Sequence, residues 1–293
     1  LSLLSVKELT KAYSGTLAVD RVSFELKEST ATALIGPNGS GKTTTLSMIA
    51  GLLKQTEGSI HSDFQSGIGF LPQYPQFFPW LSALEFTEMA AQISGVEKKK
   101  VRQQSIRTLD FVGLGSAINK KTGTFSGGMR QRLGLAQAIV HQPKLLLLDE
   151  PVSALDPTGR REIMNLLKSL QHDTTILYST HILNDAEEMT DQLLFLKQGK
   201  LIEHGSLADV KNRHAEPKIR LRFDTEQAAV LFANRQLWRM DRKKNVIDVP
   251  LSETGPTMQQ VLGVLADGDS GIAGIDRRNA SLEEIFLKVA GEK

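Results

Sequence analysis

Gly36-Pro37-Asn38-Gly39-Ser40-Gly41-Lys42-Thr43 decides the fold, because it fits the GxxxxGK[ST] spacing and both of its flanks agree with it. Ala31 to Ile35 before it is an apolar run of the kind that forms a buried strand. Lys42 to Ala50 after it reads as a helix stopped by Gly51. Strand, glycine-rich loop and helix in that order make a cradle for phosphate. The glycines let backbone N–H groups curl around phosphate oxygens, and the helix adds the positive end of its dipole. Lys42 is then placed to neutralise the β and γ phosphates of a nucleotide and Thr43 to ligate Mg²⁺, with Thr44 in the same first turn. The plain alternative, a glycine-rich turn that binds nothing, sits poorly with eight matching residues between correct flanks.

Working outward, Leu145 to Leu148 is a second fully apolar run, and it ends in Asp149 and Glu150. Such runs favour parallel strands covered on both faces, and ligands of open parallel sheets gather at strand carboxyl ends. Asp149 is expected to hold Mg²⁺ through water, and Glu150 to orient or deprotonate an attacking water. Between the two halves, residues 79–125 read as mostly helical and more polar, with Glu97-Lys98-Lys99-Lys100 as a solvated charge cluster. Ser126-Gly127-Gly128 then opens a helix with Met129, Leu133, Ala136 and Val140 as a core-facing stripe, ended before Pro143. Ser126 is a natural cap for it, and two glycines leave the first N–H groups open to a phosphate.

The remaining pattern predicts an α/β fold with a mainly parallel sheet, an N-terminal antiparallel subdomain and a helical insertion at about 79–140. The antiparallel segments are Leu3 to Leu9 and Val22 to Leu26. A helix over 157–170 starts at the Asp156 cap with Pro157 in its first turn, a strand covers 174–179, and Gln192 to His204 is a hairpin. Apolar periodicity lapses at 211–217, so the chain is expected to divide into residues 1–212 and a small α+β domain at 217–293. In the latter the pattern gives strand 219–223, helix 225–233, strands 237–240 and 246–249, helix 256–266, strand 272–276 and a final helix capped by Ser281-Leu282-Glu283-Glu284.

Composition narrows the function. Of 293 residues 35 are basic and 33 acidic, for a net charge of +2, and their mixing gives nucleic-acid binding no support. The absence of cysteine excludes disulfides, Cys-ligated zinc and thiol catalysis, and agrees with a reducing cytosolic setting. No window approaches the roughly 20 apolar residues that cross a bilayer. The first ten residues lack the basic-then-apolar pattern of a signal peptide. A start at Leu1 fits an unusual codon or a trimmed end equally.

Taken together, the phosphate loop, the Ser-Gly-Gly run, the strand ending in Asp149-Glu150, the segment Ser153-Ala154-Leu155-Asp156 and a strand ending at His181 resemble an ATP-binding cassette (ABC) ATPase, a P-loop NTPase, over roughly residues 3–210. The resemblance implies that Tyr13 stacks on adenine, that Gln73 senses Mg²⁺ and the water, and that His181 contacts the γ-phosphate. It also implies that Ser126, Gly127 and Gly128 contact the γ-phosphate held by an opposite subunit. Each has a bland counterpart: Tyr13 as an edge aromatic, Gln73 as a polar turn residue, His181 as an ordinary histidine, Ser126 as a cap only. Met129 stands where the family more often has Gln, so position 129 is given no nucleotide contact. Ser-Gly-Gly-Met followed by Arg-Gln-Arg-Leu-Gly-Leu-Ala-Gln-Ala, with the closing Ser281-to-Leu287 helix, is similar to the drug, antibiotic and sodium exporter (ABC-2 type) branch.

That branch implies an ATPase subunit at the cytoplasmic face of the cell membrane. It would pair with a second ATPase subunit, a like copy or a paralogue, and dock on separate transmembrane permease subunits. The helical insert beside Gln73 is the expected docking region, with Phe77-Phe78-Pro79-Trp80 read equally as docking surface or core. An importer ATPase would call for a C-terminal β-barrel, and a cassette acting on nucleic acid or ribosomes for a second cassette or coiled coil; neither pattern is present. A purely regulatory binder would not need Glu150 and His181.

Overall fold

The computed structural model describes residues 2–62, 67–153, 155–235, 237–251, 255–266 and 271–291. It divides into two compact units, Leu1–Leu207 and Ala208–Lys293. In the first unit the elements run β1 (Ser2–Tyr13), β2 (Thr16–Lys27), β3 (Ala31–Ile35), α1 (Lys42–Ile49), β4 (Glu57–Ser62), β5 (Ile68–Leu71), α2 (Ala83–Ile93), α3 (Val101–Phe111) and α4 (Gly127–Ile139). They continue as β6 (Leu145–Leu148), α5 (Pro157–Leu170), β7 (Thr175–Thr180), α6 (Leu183–Met189), β8 (Gln192–Lys197) and β9 (Lys200–Ser206).

The central sheet has the order β5-β6-β7-β3-β8-β9, in which all neighbours are parallel except the β8–β9 hairpin. All of β3, β6 and β7 is buried, as runs such as Leu145 to Leu148 require when helices cover both faces. The parallel register brings Ile35, Leu148 and Thr180 to one end of the sheet, where the phosphate loop, Asp149 and His181 follow them in sequence. A separate antiparallel sheet of order β2-β1-β4 packs Leu4, Val6, Leu9, Val22 and Leu26 into a core shared with Leu46, Ile49, Leu145 and Leu147. The fold is thus α/β, with a mainly parallel sheet and separate antiparallel sheets.

The helical segment is built from local signals. Ser82 and Glu85 form a reciprocal capping box on α2, and Ser126 Oγ accepts the Met129 N–H to cap α4. Leu133, Ala136 and Val140 are buried as expected, whereas Met129 stays half-exposed. The stripe reaches the core only from Gln131 onward, where Gln131 itself is buried and donates to the Pro151 carbonyl at 2.7 Å.

The second unit contains α7 (Leu207–Arg213, which begins at the boundary), β10 (Lys218–Phe223), α8 (Glu226–Ala233), β11 (Asp241–Lys243), β12 (Val246–Pro250), α9 (Met258–Ala266), β13 (Ile272–Arg278) and α10 (Leu282–Val289). Its antiparallel sheet has the order β11-β12-β10-β13. The strand expected at 237–240 is instead Asp241–Lys243. Lys243 pairs with Val246, so the turn is Lys244-Asn245 with Lys244 at φ 54°, and the turn rather than the apolar residues sets the register. Trp238 and Met240 pack on the unit's core instead, beside Ile219, Leu221, Phe232 and Val249.

On one face of this sheet Arg220 makes a bidentate pair with Asp248 at 2.7 and 2.6 Å, and Lys218 lies 3.4 Å from the same carboxylate. Burial opposes ionisation of Asp248, but Arg220 and Lys218 prevail and hold its carboxyl below the ordinary value. Asp248→Ala is expected to cost about 1–3 kcal/mol, because two cations lose a half-buried partner. Faster amide exchange in β10 and β12 checks this. The pair's contribution is present above the unfolded carboxylate value of about 3.9 and is lost as pH falls through the lower folded value.

Candidate active site

The phosphate loop is shaped by contacts that only glycine allows. Gly41 lies at φ 103°, and a Cβ there would sit 2.5 Å from the Ala18 carbonyl oxygen. At Gly36 a Cβ would meet the Leu196 carbonyl oxygen at 2.3 Å. Gly41 caps α1 with no side-chain acceptor, so the N–H groups of the first turn are left facing outward. Pro37, Asn38 and Gly39 are exposed, as is Thr43, while Thr44 is half-buried. Ser40 Oγ is buried without a hydrogen-bond partner, a group that a phosphate oxygen would satisfy.

Lys42 is buried to 6% exposure, with Nζ donating to the Gly36 carbonyl at 2.8 Å and the Pro37 carbonyl at 3.3 Å, and lying 3.8 Å from Glu150 Oε1. Burial pushes its ammonium below the ordinary value, against the pull of Glu150 and Asp149. A partly dehydrated cation held by two carbonyls of the loop is a strong receptor for phosphate charge.

The carboxylates approach it from the end of β6. Asp149 is buried, with its N–H on the Leu71 carbonyl at 2.8 Å and Oδ1 accepting from Ser179 Oγ at 2.6 Å. Glu150 is 9% exposed and sits in the left-handed region at φ 48°. Gln73 Nε2 donates to its Oε2 at 3.3 Å, and His181 Nδ1 lies 3.2 Å from its Oε1. Gln73, Lys42, Asp149, Glu150 and His181 are therefore one cluster. Gln73 and His181, the residues expected at metal and phosphate, both hold the Glu150 carboxylate in this structure. Ser179 escaped the sequence reading, since one serine in a strand carries no signal until its neighbours are known.

Tyr13 lies elsewhere, at the end of the β1–β2 hairpin. It is 47% exposed, with Lys11 Nζ 5.1 Å from its ring centroid. The hairpin is tied to the phosphate loop through Ala18, which packs against Gly41. Among the described residues no hydrogen bond or ion pair joins Ser126, Gly127 or Gly128 to the phosphate loop or to Glu150. Gly127 would meet nothing within 4 Å if it carried a Cβ, and Gly128 only Leu155 Cδ2 at 3.8 Å. Ser153 N–H and Oγ both bond the Glu150 carbonyl, and Asp156 caps α5 through Gly159 N–H at 3.0 Å; Ala154 of the same segment lies outside the described residues.

Thr43 and Asp149 are hard oxygen donors suited to Mg²⁺. Among the described residues no group of three or more His, Cys, Asp or Glu gathers as a metal cage. Thr43 and Asp149 together offer the one or two protein oxygens that suffice for an ion carried by substrate phosphates.

Comparison with known proteins agrees with this geometry. The family model for ABC transporters matches residues 19–153, and the model for the ATP-binding protein DrrA1-3-like C-terminal domain matches residues 205–290. The chain is 47% identical over 216 residues to YxlF, an uncharacterized ABC transporter ATP-binding protein of Bacillus subtilis (strain 168), covering 72% of this chain and 73% of YxlF. It is 36% identical over 225 residues to the bacitracin transport ATP-binding protein BcrA of Bacillus licheniformis, covering 73% and 72%. Among solved structures, the dimeric post-hydrolysis state of the ATP-binding cassette MJ0796 bound to ADP and Pi superimposes with a TM-score of 0.65 at 29% identity, over 70% of this chain and 99% of that one. The chain belongs to the ATP-binding proteins of ABC transporters and is a nucleotide-binding ATPase subunit.

Proposed function

We propose that the protein drives an exporter, two ATPase subunits closing on ATP so that Ser126, Gly127 and Gly128 of one meet the phosphates held by the other. The observation that carries this is the pair of glycines at the start of α4. Among the described residues nothing crowds a Cβ at either, in contrast to Gly36 and Gly41, which supports reading the pair as clearance for a group approaching from outside. The dimeric MJ0796 cassette is the precedent. The bacitracin transport name of BcrA and the DrrA-like match over 205–290 support a transport subunit of this kind.

In this reading the loop amides, Ser40 and Lys42 hold the phosphates of ATP, and Tyr13 stacks on adenine. Thr43 and, through water, Asp149 would hold Mg²⁺, with Gln73 turned toward it as the site fills. When bound, the ion would supply neutralisation of phosphate charge. Glu150 orients the attacking water and takes up its proton; before the site fills, Gln73 and His181 each hold one of its oxygens and so preset its rotamer. His181 is placed to pass from Glu150 to the γ-phosphate as the subunits close.

No helix among the described residues is long and apolar enough to cross a membrane. In this reading separate permease subunits form the path. Phe77 packs edge-on against buried Phe86, with centroids 5.0 Å apart, but Trp80 is 65% exposed and Ile93 79%. Ile93, with Phe78, Met89 and Leu52, borders a cleft of about 560 Å³ that Gln76 also lines, suited to an apolar permease helix at the cytoplasmic membrane face.

Gly127→Asp tests the closed pair. Asp in the first turn of α4 suits the helix dipole, so folding and ATP affinity of the isolated subunit should persist. A like charge facing phosphate costs several kcal/mol, so turnover and ATP-induced dimerisation should fall by about 100-fold or more. Wild-type turnover in this variant would remove the trans contact. Reconstitution with the membrane partner, followed by ATP-dependent accumulation in inverted vesicles, tests direction.

A further inference from the structure

We propose that Ser179 is a positioning residue for hydrolysis, one hydroxyl that sets both the Asp149 carboxylate and the backbone turn that presents Glu150. The proposal rests on the roles given above to Asp149 and Glu150.

Ser179 is fully buried on β7, beside the end of β6, where Leu148 pairs with Tyr178. Its Oγ–H donates to Asp149 Oδ1 at 2.6 Å, and the same oxygen accepts the Glu150 N–H at 2.8 Å. The direction of both bonds is forced. A backbone amide only donates and a carboxylate only accepts, so the single hydroxyl hydrogen must point to Asp149. The oxygen then has a lone pair left for the amide.

This matters because of the conformation of Glu150. A non-glycine residue at φ 48° carries strain and persists only where its surroundings enforce it. Ser179 holds the amide on one side of that residue, and Ser153 holds its carbonyl on the other, through N–H at 3.3 Å and Oγ at 3.2 Å. The Glu150 side chain is thereby aimed back at Lys42, Gln73 and His181 instead of continuing the strand direction. On the Asp149 side, the same hydroxyl occupies one carboxylate oxygen and fixes the plane of the group. The second oxygen is then oriented by a strand-borne contact, as outer partners orient metal ligands.

The test compares Ser179→Ala with wild type in the full-length chain. In Ser179→Ala, kcat should fall about 10–100-fold with little change in KM for ATP. Binding of a fluorescent ATP analogue in EDTA should match wild type, because the phosphate loop is untouched. The gain in affinity on adding Mg²⁺ should shrink by about 10-fold, a readout independent of turnover. An Ala variant with wild-type kcat and an unchanged Mg²⁺ gain overturns the proposal, whatever its melting temperature, because a merely structural serine would move stability alone. Should the Ala protein not accumulate, Ser179→Cys keeps the shape with a weaker donor and acceptor, and wild-type behaviour there overturns it equally. Glu150→Gln run in parallel separates the two readings. If it abolishes turnover while Ser179→Ala does not, only the positioning role fails; if neither does, the assignment of Glu150 fails with it.

Discussion

Replacing Glu150 by Gln is expected to cut steady-state ATP turnover by roughly 10²- to 10⁴-fold while ATP binding is retained. The amide has nearly the shape of the carboxylate and can still receive a hydrogen bond from Gln73, but it cannot take a proton from water. It also removes the charge 3.8 Å from Lys42 Nζ, which frees that ammonium to act wholly on phosphate. ATP affinity should therefore hold or rise. The hydrolysis that reopens the pair is missing, so ATP should leave a long-lived dimer, visible as a doubled mass in light scattering. Normal turnover in Glu150→Gln would sink the assignment of Glu150, and loss of ATP binding would mean that the variant had damaged the phosphate loop instead.

Lys42→Ala is expected to act at the earlier step. A charge-assisted contact to phosphate from a half-dehydrated ammonium contributes about 2–3 kcal/mol, so ATP affinity should drop by one to two orders of magnitude. The loop suffers as well, since the Gly36 and Pro37 carbonyls lose the donor that spans them. Adenosine, which would rely on Tyr13 and carries no phosphate, should bind as weakly as before. A loss confined to the triphosphate identifies a phosphate contact, whereas an equal loss for adenosine points to a collapsed domain. Unchanged ATP affinity would count against the phosphate-loop role altogether. The two variants thus separate binding from chemistry within one cluster.

Features that obey short-range rules were legible in advance. The phosphate loop, the apolar strand ending in Asp149-Glu150, the Ser126 cap and the Ser281-Glu284 capping box each involve residues a few positions apart. Elements without an amphipathic pattern were not. β4, Glu-Gly-Ser-Ile-His-Ser, has a single apolar residue and exists because β1 supplies its hydrogen bonds. Trp238 and Met240 look like strand residues, yet the Lys244-Asn245 turn places the strand three residues later.

The same division runs through the site. Sequence alone determined the phosphate-loop shape, the helix caps and the apolar strand before Asp149, because these are properties of neighbouring residues. Only the tertiary structure decided how the site residues are wired. Glu150 is held by Gln73, His181 and Ser179, which lie 77, 31 and 29 residues away, the first just past β5 and the other two at the end of β7. Their meeting depends on the parallel order β5-β6-β7-β3, which aligns the strand ends at one edge. Parallel pairing is a long-range choice that follows from burying both faces of the sheet, and no local pattern states which strand ends become neighbours.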